Sequence, residues 1–160
     1  MSIRISTIGI LLCACLTVMV ATGVSAQTAA PLPGTRTAQT GKAFAAYVED
    51  LRAAIAANRM GIVAQASATN GAASIGKTID GNAVIMVFRP DYAVRMLEAS
   101  IPAGIEAPIR FYVTEQADGT AMLTYRTPSA LFAPYGVDTL DDMAGELDVI
   151  FDQIVSDSLM

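Results

Sequence analysis

The chain has 160 residues, with ten Lys and Arg against fifteen Asp and Glu, a net charge of −5, two Cys, no His and no Trp. Without imidazole, Ser-His-Asp and Cys-His nucleophile systems cannot be built, and His-ligated zinc, iron and haem fall with them. An acidic chain whose only lysines are Lys42 and Lys77 also lacks the basic patch that nucleic-acid phosphates demand, so no nucleic-acid partner is expected.

In chain order, a short basic start with Arg4 precedes the apolar run Ile10–Gly23, which ends in Val24-Ser25-Ala26. That is the pattern of a secretory signal peptide over 1–26, cleaved after Ala26, and it implies a periplasmic or secreted protein with no membrane span after cleavage. A competing reading takes Leu12-Cys13-Ala14-Cys15 as a lipoprotein box with Cys15 lipidated; the bulky Cys13 and the apolar run continuing to Val20 count against it. Cleavage would remove both cysteines, so the exported domain would rely on its core and not on disulfides.

Residues 27–41, rich in Ala, Pro, Thr and Gly, read as a flexible linker, with a short strand at Arg36–Thr40 as its only regular element. From 42 to 158 the pattern is that of one domain. Phe44, Tyr47, Val48, Leu51 and Ile55 fall at helical spacing, and 61–68 reads as a strand. The Gly-rich stretch 69–82 reads as a loop or one helical turn. The continuous apolar run Ala83–Phe88 predicts a strand buried on both faces, followed by a short helix opened by Pro90. Ile109, Phe111 and Val113, then Ala121, Leu123 and Tyr125, alternate on either side of Asp118-Gly119 and predict a hairpin. Leu140, Met143, Ala144, Leu147, Ile150, Phe151, Ile154 and Val155 make one apolar helical stripe, with Asp138 or Thr139 placed to cap it.

Several of these features, in this order, resemble a bacterial family, the domain of unknown function 302. They are Gly61, Arg89-Pro90, Gly104 to Pro108, Asp118-Gly119, Tyr125 to Pro128 and Tyr135-Gly136, within a span from Lys42 to Val155. The chain departs from the family pattern at Arg89, where Asn is frequent, and at Met60-Gly61, where Gly-Phe is frequent. The resemblance implies an α+β, two-layer domain similar to the TATA-binding-protein-like fold, with helices on one face of a curved, mainly antiparallel sheet. It also implies a tendency to form homodimers and supplies no chemistry.

The remaining side chains with chemical reach are carboxylates, tyrosines and arginines. Arg89, Arg110 and Arg126 each close or sit in a predicted strand, and Arg110 and Arg126 can share a hairpin face with Tyr112, where two guanidinium forks would grip a carboxylate or other anion. The structural alternative is that they lie over the sheet and pair with Glu106 or Glu115. Tyr92, Tyr112, Tyr125 and Tyr135 can line a cleft between sheet and helices, Tyr125 being also the Tyr of the family's Tyr-x2-Pro. The acidic residues of the last helix read as a solvated face, and the methionines as core filling and not as copper ligands. No cofactor or metal is expected. The functional expectation is a non-catalytic module binding a small apolar or anionic ligand, or a partner. The alternatives are an enzyme built on carboxylates, Tyr and Arg, and a domain that only self-associates through the hairpin edge or the last helix.

Overall fold

The computed structural model describes residues 31–160; the expected signal peptide and the start of the linker lie outside them. Five strands form one antiparallel sheet in the order β1-β5-β4-β3-β2. They are β1 (Thr35–Ala43), β2 (Gly61–Ala66), β3 (Asn82–Phe88), β4 (Ile109–Glu115) and β5 (Thr120–Arg126). The helices, α1 (Phe44–Ala57), α2 (Ala68–Ser74), α3 (Pro90–Ala99), α4 (Pro128–Phe132) and α5 (Asp138–Leu159), lie on one side of the sheet. The α+β architecture expected from the resemblance is therefore the one observed.

Among the described residues no helix is long and apolar enough to cross a membrane. The core forms where the apolar stripes of α1 and α5 meet the inward residues of the hairpin. Tyr47, Leu51 and Ile55 from α1, Leu140, Met143, Phe151 and Ile154 from α5, and Phe111, Val113 and Leu123 from the sheet are all buried. Phe111 and Phe151 stack with ring centres 4.7 Å apart. The end of α1 is tied to α5 by Asn58, whose amide donates to Ala54 O at 2.9 Å and to Asp157 Oδ2 at 2.7 Å. The Tyr47 hydroxyl meets Ser158 Oγ at 3.0 Å inside this layer.

Four expectations are corrected. First, the short strand expected at Arg36–Thr40 is there but longer: β1 runs from Thr35 to Ala43 and pairs with β5 from Thr35–Arg126 to Ala43–Thr120, so residues 35–41 are sheet and not tether. Second, the run 83–88 is not buried on both faces: Ile85 and Val87 face the helices and are buried, while Val84 and Met86 lie on the side without helices, partly accessible. Third, neither Asp138 nor Thr139 caps α5; Val137 precedes it and makes no side-chain cap, its carbonyl accepting from Leu140 N and Asp141 N. Fourth, both hairpin strands are internal, flanked by β1 and β3, so the hairpin has no free edge for self-association. The free edges are β1 and β2.

Candidate functional site

Antiparallel register places paired residues on the same face of a sheet, so the side without helices can be read row by row. Thr35 pairs with Arg126, and Met86 with Arg110 and Ala64. The hairpin register that joins Phe111 to Tyr125 continues to set Arg110 opposite Arg126. One row therefore reads Thr35, Arg126, Arg110, Met86, Ala64 from edge to edge. The next reads Thr37, Thr124, Tyr112, Val84, Ala66. Arg110 and Tyr112 are exposed in an otherwise buried alternation along β4.

Over these rows lies a hollow of about 260 Å³ whose wall includes Thr35, Glu106, Arg110, Tyr112, Thr124 and Arg126. The corner after β5 borders it through Arg126 and Leu131. Gly34 bends the chain into β1 at φ +75°, and a Cβ there would stand 2.0 Å from Ala130 Cβ. Thr127 N donates to Gly34 O at 2.9 Å. Thr127 also caps α4, its Oγ1 accepting from Ala130 N at 3.3 Å, and Pro128 takes the first helical turn, where its missing N–H costs nothing. Ser129 N donates to Asp148 Oδ1 at 3.0 Å and pins the corner to α5. Arg126 is fixed against this corner by Nη2 donating to Ala130 O at 3.2 Å, while its buried Nε has no partner.

The electrostatics of the hollow follow from what its arginines do not touch. Among the described residues, Arg36, Lys42, Arg52, Arg89 and Arg95 each hold a carboxylate within 4 Å; Arg110 and Arg126 are in none of these pairs. The two carboxylates offered as their partners bond other groups, although Glu106 stands on the wall of the same hollow. Glu106 accepts from the Tyr135 hydroxyl at 3.2 Å, and Glu115 accepts from Gly81 N at 2.7 Å. No strand residue on this face is acidic. Tyr112 takes a short hydrogen bond from the Asn82 amide, which leaves its own O–H proton free to donate.

Of the six sequence-derived candidates, the structure brings Arg110, Tyr112 and Arg126 together, sets Tyr125 at the border of the same hollow, and puts Arg89 and Tyr92 elsewhere. Arg89 closes β3 and forks onto Asp91 at 2.8 and 2.9 Å. Its guanidinium lies 4.2 Å from the Tyr92 ring centre, with that of Arg95 5.1 Å away. Arg95 in turn forks onto Glu146 at 2.7 and 2.8 Å, and the Tyr92 hydroxyl donates to the same carboxylate at 3.1 Å. These bonds, from Arg95 first and then Tyr92, hold the Glu146 carboxyl down to about 2. Arg89 and Tyr92 thus belong to a clamp between α3 and α5. Tyr125 borders the hollow by its place in β5, but its ring packs in the core, 5.5 Å from Phe111 and 6.0 Å from Phe151. Its hydroxyl donates to Asp152 at 3.2 Å, and burial first, with Asp152 behind it, pushes the pKa of that phenol up. The Tyr-x2-Pro element is a strand-to-helix corner.

The spaces between sheet and helices are less suited to a ligand. One gap, under Met60, Tyr92, Met96 and Met143, measures about 30 Å³, room for little more than a water. A wider hollow of about 540 Å³ lies beside α1, α2 and β2, but polar groups on its wall are already used. Thr69 bonds Asp80 O and Asn82 N, Ser67 caps Asn70 N, and Gln65 takes Arg52. Among the described residues no group of three His, Cys, Asp or Glu side chains could hold a metal ion.

Thr35, Val84 and Met86 were not singled out as site residues by sequence. Their membership depends on which strands neighbour β4, and β3 and β1 are separated from the hairpin by helices or by most of the chain.

The model of the domain of unknown function DUF302 matches residues 35–157. No curated protein matches the chain. Among solved structures, the crystal structure of a conserved DUF302 protein from Bacillus stearothermophilus superposes with a TM-score of 0.68 at 17% identity, covering 79% of this chain and 96% of that one. At that identity the likeness carries the fold.

Proposed function

The chain belongs to the DUF302 family, which is named for a domain and not for an activity, and from that premise we propose that it is a non-catalytic binding module that takes a small anion on the open face of its sheet. One observation carries this reading: Arg110 and Arg126 face each other across the hairpin beside Tyr112 without a carboxylate within 4 Å. Like charges directly opposite on a sheet repel, and two guanidinium forks on one face match the two oxygens of a carboxylate. An anion between them turns the repulsion into attraction, with the Tyr112 O–H as a third donor.

Calorimetric titration with butyrate tests the reading. Saturable binding is expected in the wild type and its loss in Arg110→Gln/Arg126→Gln; the absence of binding by butyrate and every longer straight-chain carboxylate would end it. The protein acts outside the cytoplasm in this proposal, exported by the 1–26 segment. Mass spectrometry of the native protein from a periplasmic fraction should give an N-terminus at Gln27, and a lipidated Cys15 would refute cleavage after Ala26. A second reading, a homodimer, is favoured by the β2 edge, which runs from Gly61 to Ala66 without a charge or a proline. Sedimentation at high concentration showing only monomer would dispose of it.

A further inference from the structure

The open face is divided. Across β1, β5 and β4 its rows present Thr35, Arg126 and Arg110, or Thr37, Thr124 and Tyr112; across β3 and β2 the same rows continue as Met86 and Ala64, or Val84 and Ala66. A cationic head region is therefore followed along the same rows by a strip of apolar residues that ends at the free edge of the sheet. Val84 and Met86 are only partly accessible, and Ala64 and Ala66 are exposed. Small residues at the outer end keep the strip level with the backbone, so a chain can lie along it.

On the basis of the anion site, we infer that the ligand is an amphipathic monocarboxylate, its head between Arg110 and Arg126 and its aliphatic chain laid over Met86 or Val84 toward Ala64 and Ala66. The charge pattern selects the head: the strand residues of this face carry two cations and no acid in a molecule of net charge −5. The register selects the tail. From β4 to β2 is two strand spacings, about 10 Å, which an extended chain of about eight carbons covers. The size of the hollow, about 260 Å³, fits a small acid and not a folded partner. One side of the chain stays in water, so each methylene contributes less than full burial would, about two- to threefold in affinity.

The experiment is calorimetric titration of the full-length protein with straight-chain carboxylates from butyrate to decanoate, with 1-octanol as the uncharged control. Affinity is expected to tighten about two- to threefold per methylene up to about eight carbons, then to level off where the chain passes the edge, and octanol is expected not to bind. Ala66→Asp sets a charge on the strip at an exposed edge position and should bring octanoate down to the affinity of butyrate while leaving butyrate unchanged; Ala64→Asp, one row away, repeats the measurement on a second folded variant. Equal affinity for butyrate and octanoate in the wild type would overturn this inference and leave the anion site standing. Octanol binding as tightly as octanoate would overturn it too. Failure of every acid would bring down the anion site with it. A dimer dissolved by Ala66→Asp, with no chain-length dependence, would assign the strip to a second copy.

Discussion

Gly34 and Gly119 both sit at positive φ, +75° and +81°, yet they answer to different constraints. At Gly119 a Cβ would meet nothing within 4 Å, so Gly119→Ala costs only the left-handed backbone, about 1 kcal/mol. At Gly34 the same change adds a contact of 2.0 Å with Ala130 Cβ, and moving α4 away would break the corner that holds Arg126. Gly34→Ala is therefore expected to cost about 2–4 kcal/mol, read from urea unfolding midpoints; equal costs at the two glycines would refute the packing argument. A second residue-scale test concerns Ser158, fully buried against the Tyr47 hydroxyl. Ser158→Ala leaves a buried phenol without that partner and should cost about 1–3 kcal/mol. Adding Tyr47→Phe should recover part of the loss, because a pair removed together leaves nothing unsatisfied. Strictly additive losses in the double variant would mean that the hydroxyls do not depend on each other.

At the scale of elements, α5 is held at its outer face by the clamp to α3. Glu146 is ionised down to about 2 in the folded protein against 4.5 ordinarily, and a carboxylate that holds its proton more weakly when folded stabilises the fold wherever it is charged in both states. That contribution is complete above about 4.5 and is lost as pH falls toward about 2. The clamp is half exposed, so solvent screening keeps the effect small. Unfolding midpoints of wild type and Glu146→Gln should differ at pH 7 and converge by pH 2–3; a gap that ignores pH would show that the carboxylate's charge is not what matters. Elements also differ in how plainly they were written in the chain. The hairpin was legible because its strands are neighbours and alternate with a period of two, and α5 because eight apolar positions repeat with the helical period. β1 was legible only in part, as a short strand at Arg36–Thr40 within a tether, since TRTAQTGKA has Thr and Gln on the open face and only Ala38 packing against the core. β3 misled in the opposite direction: its open-face residues Val84 and Met86 are apolar although only partly buried, and a continuous run is the usual mark of burial on both sides. The same missing knowledge of strand order hid half of the candidate site. Arg110, Tyr112 and Arg126 were visible as a hairpin face, whereas Thr35, Met86 and Val84 join it only through pairings distant in sequence.

At the scale of the whole molecule, the charges are sorted by side. Acidic residues crowd the helices, α5 above all, and there they engage Arg36 and Arg95; the opposite sheet face keeps Arg110 and Arg126 apart from any acid within 4 Å. If these two arginines served folding, removing them would weaken the fold. If they serve a ligand, they are a strain on the empty protein that only an anion relieves. Arg110 in particular is exposed and makes no side-chain hydrogen bond among the described residues, so Arg110→Gln should leave the melting temperature of the free protein unchanged or slightly raised. The ligand response should move the other way. A carboxylate present at a hundred times its Kd stabilises by about 2.7 kcal/mol, which in a domain of this size is about 10 °C in Tm. The wild type should show that rise with octanoate and Arg110→Gln should lose most of it. A variant that melts several degrees lower when free yet keeps the full response to octanoate would assign the arginine to the scaffold and leave the open face without its anion.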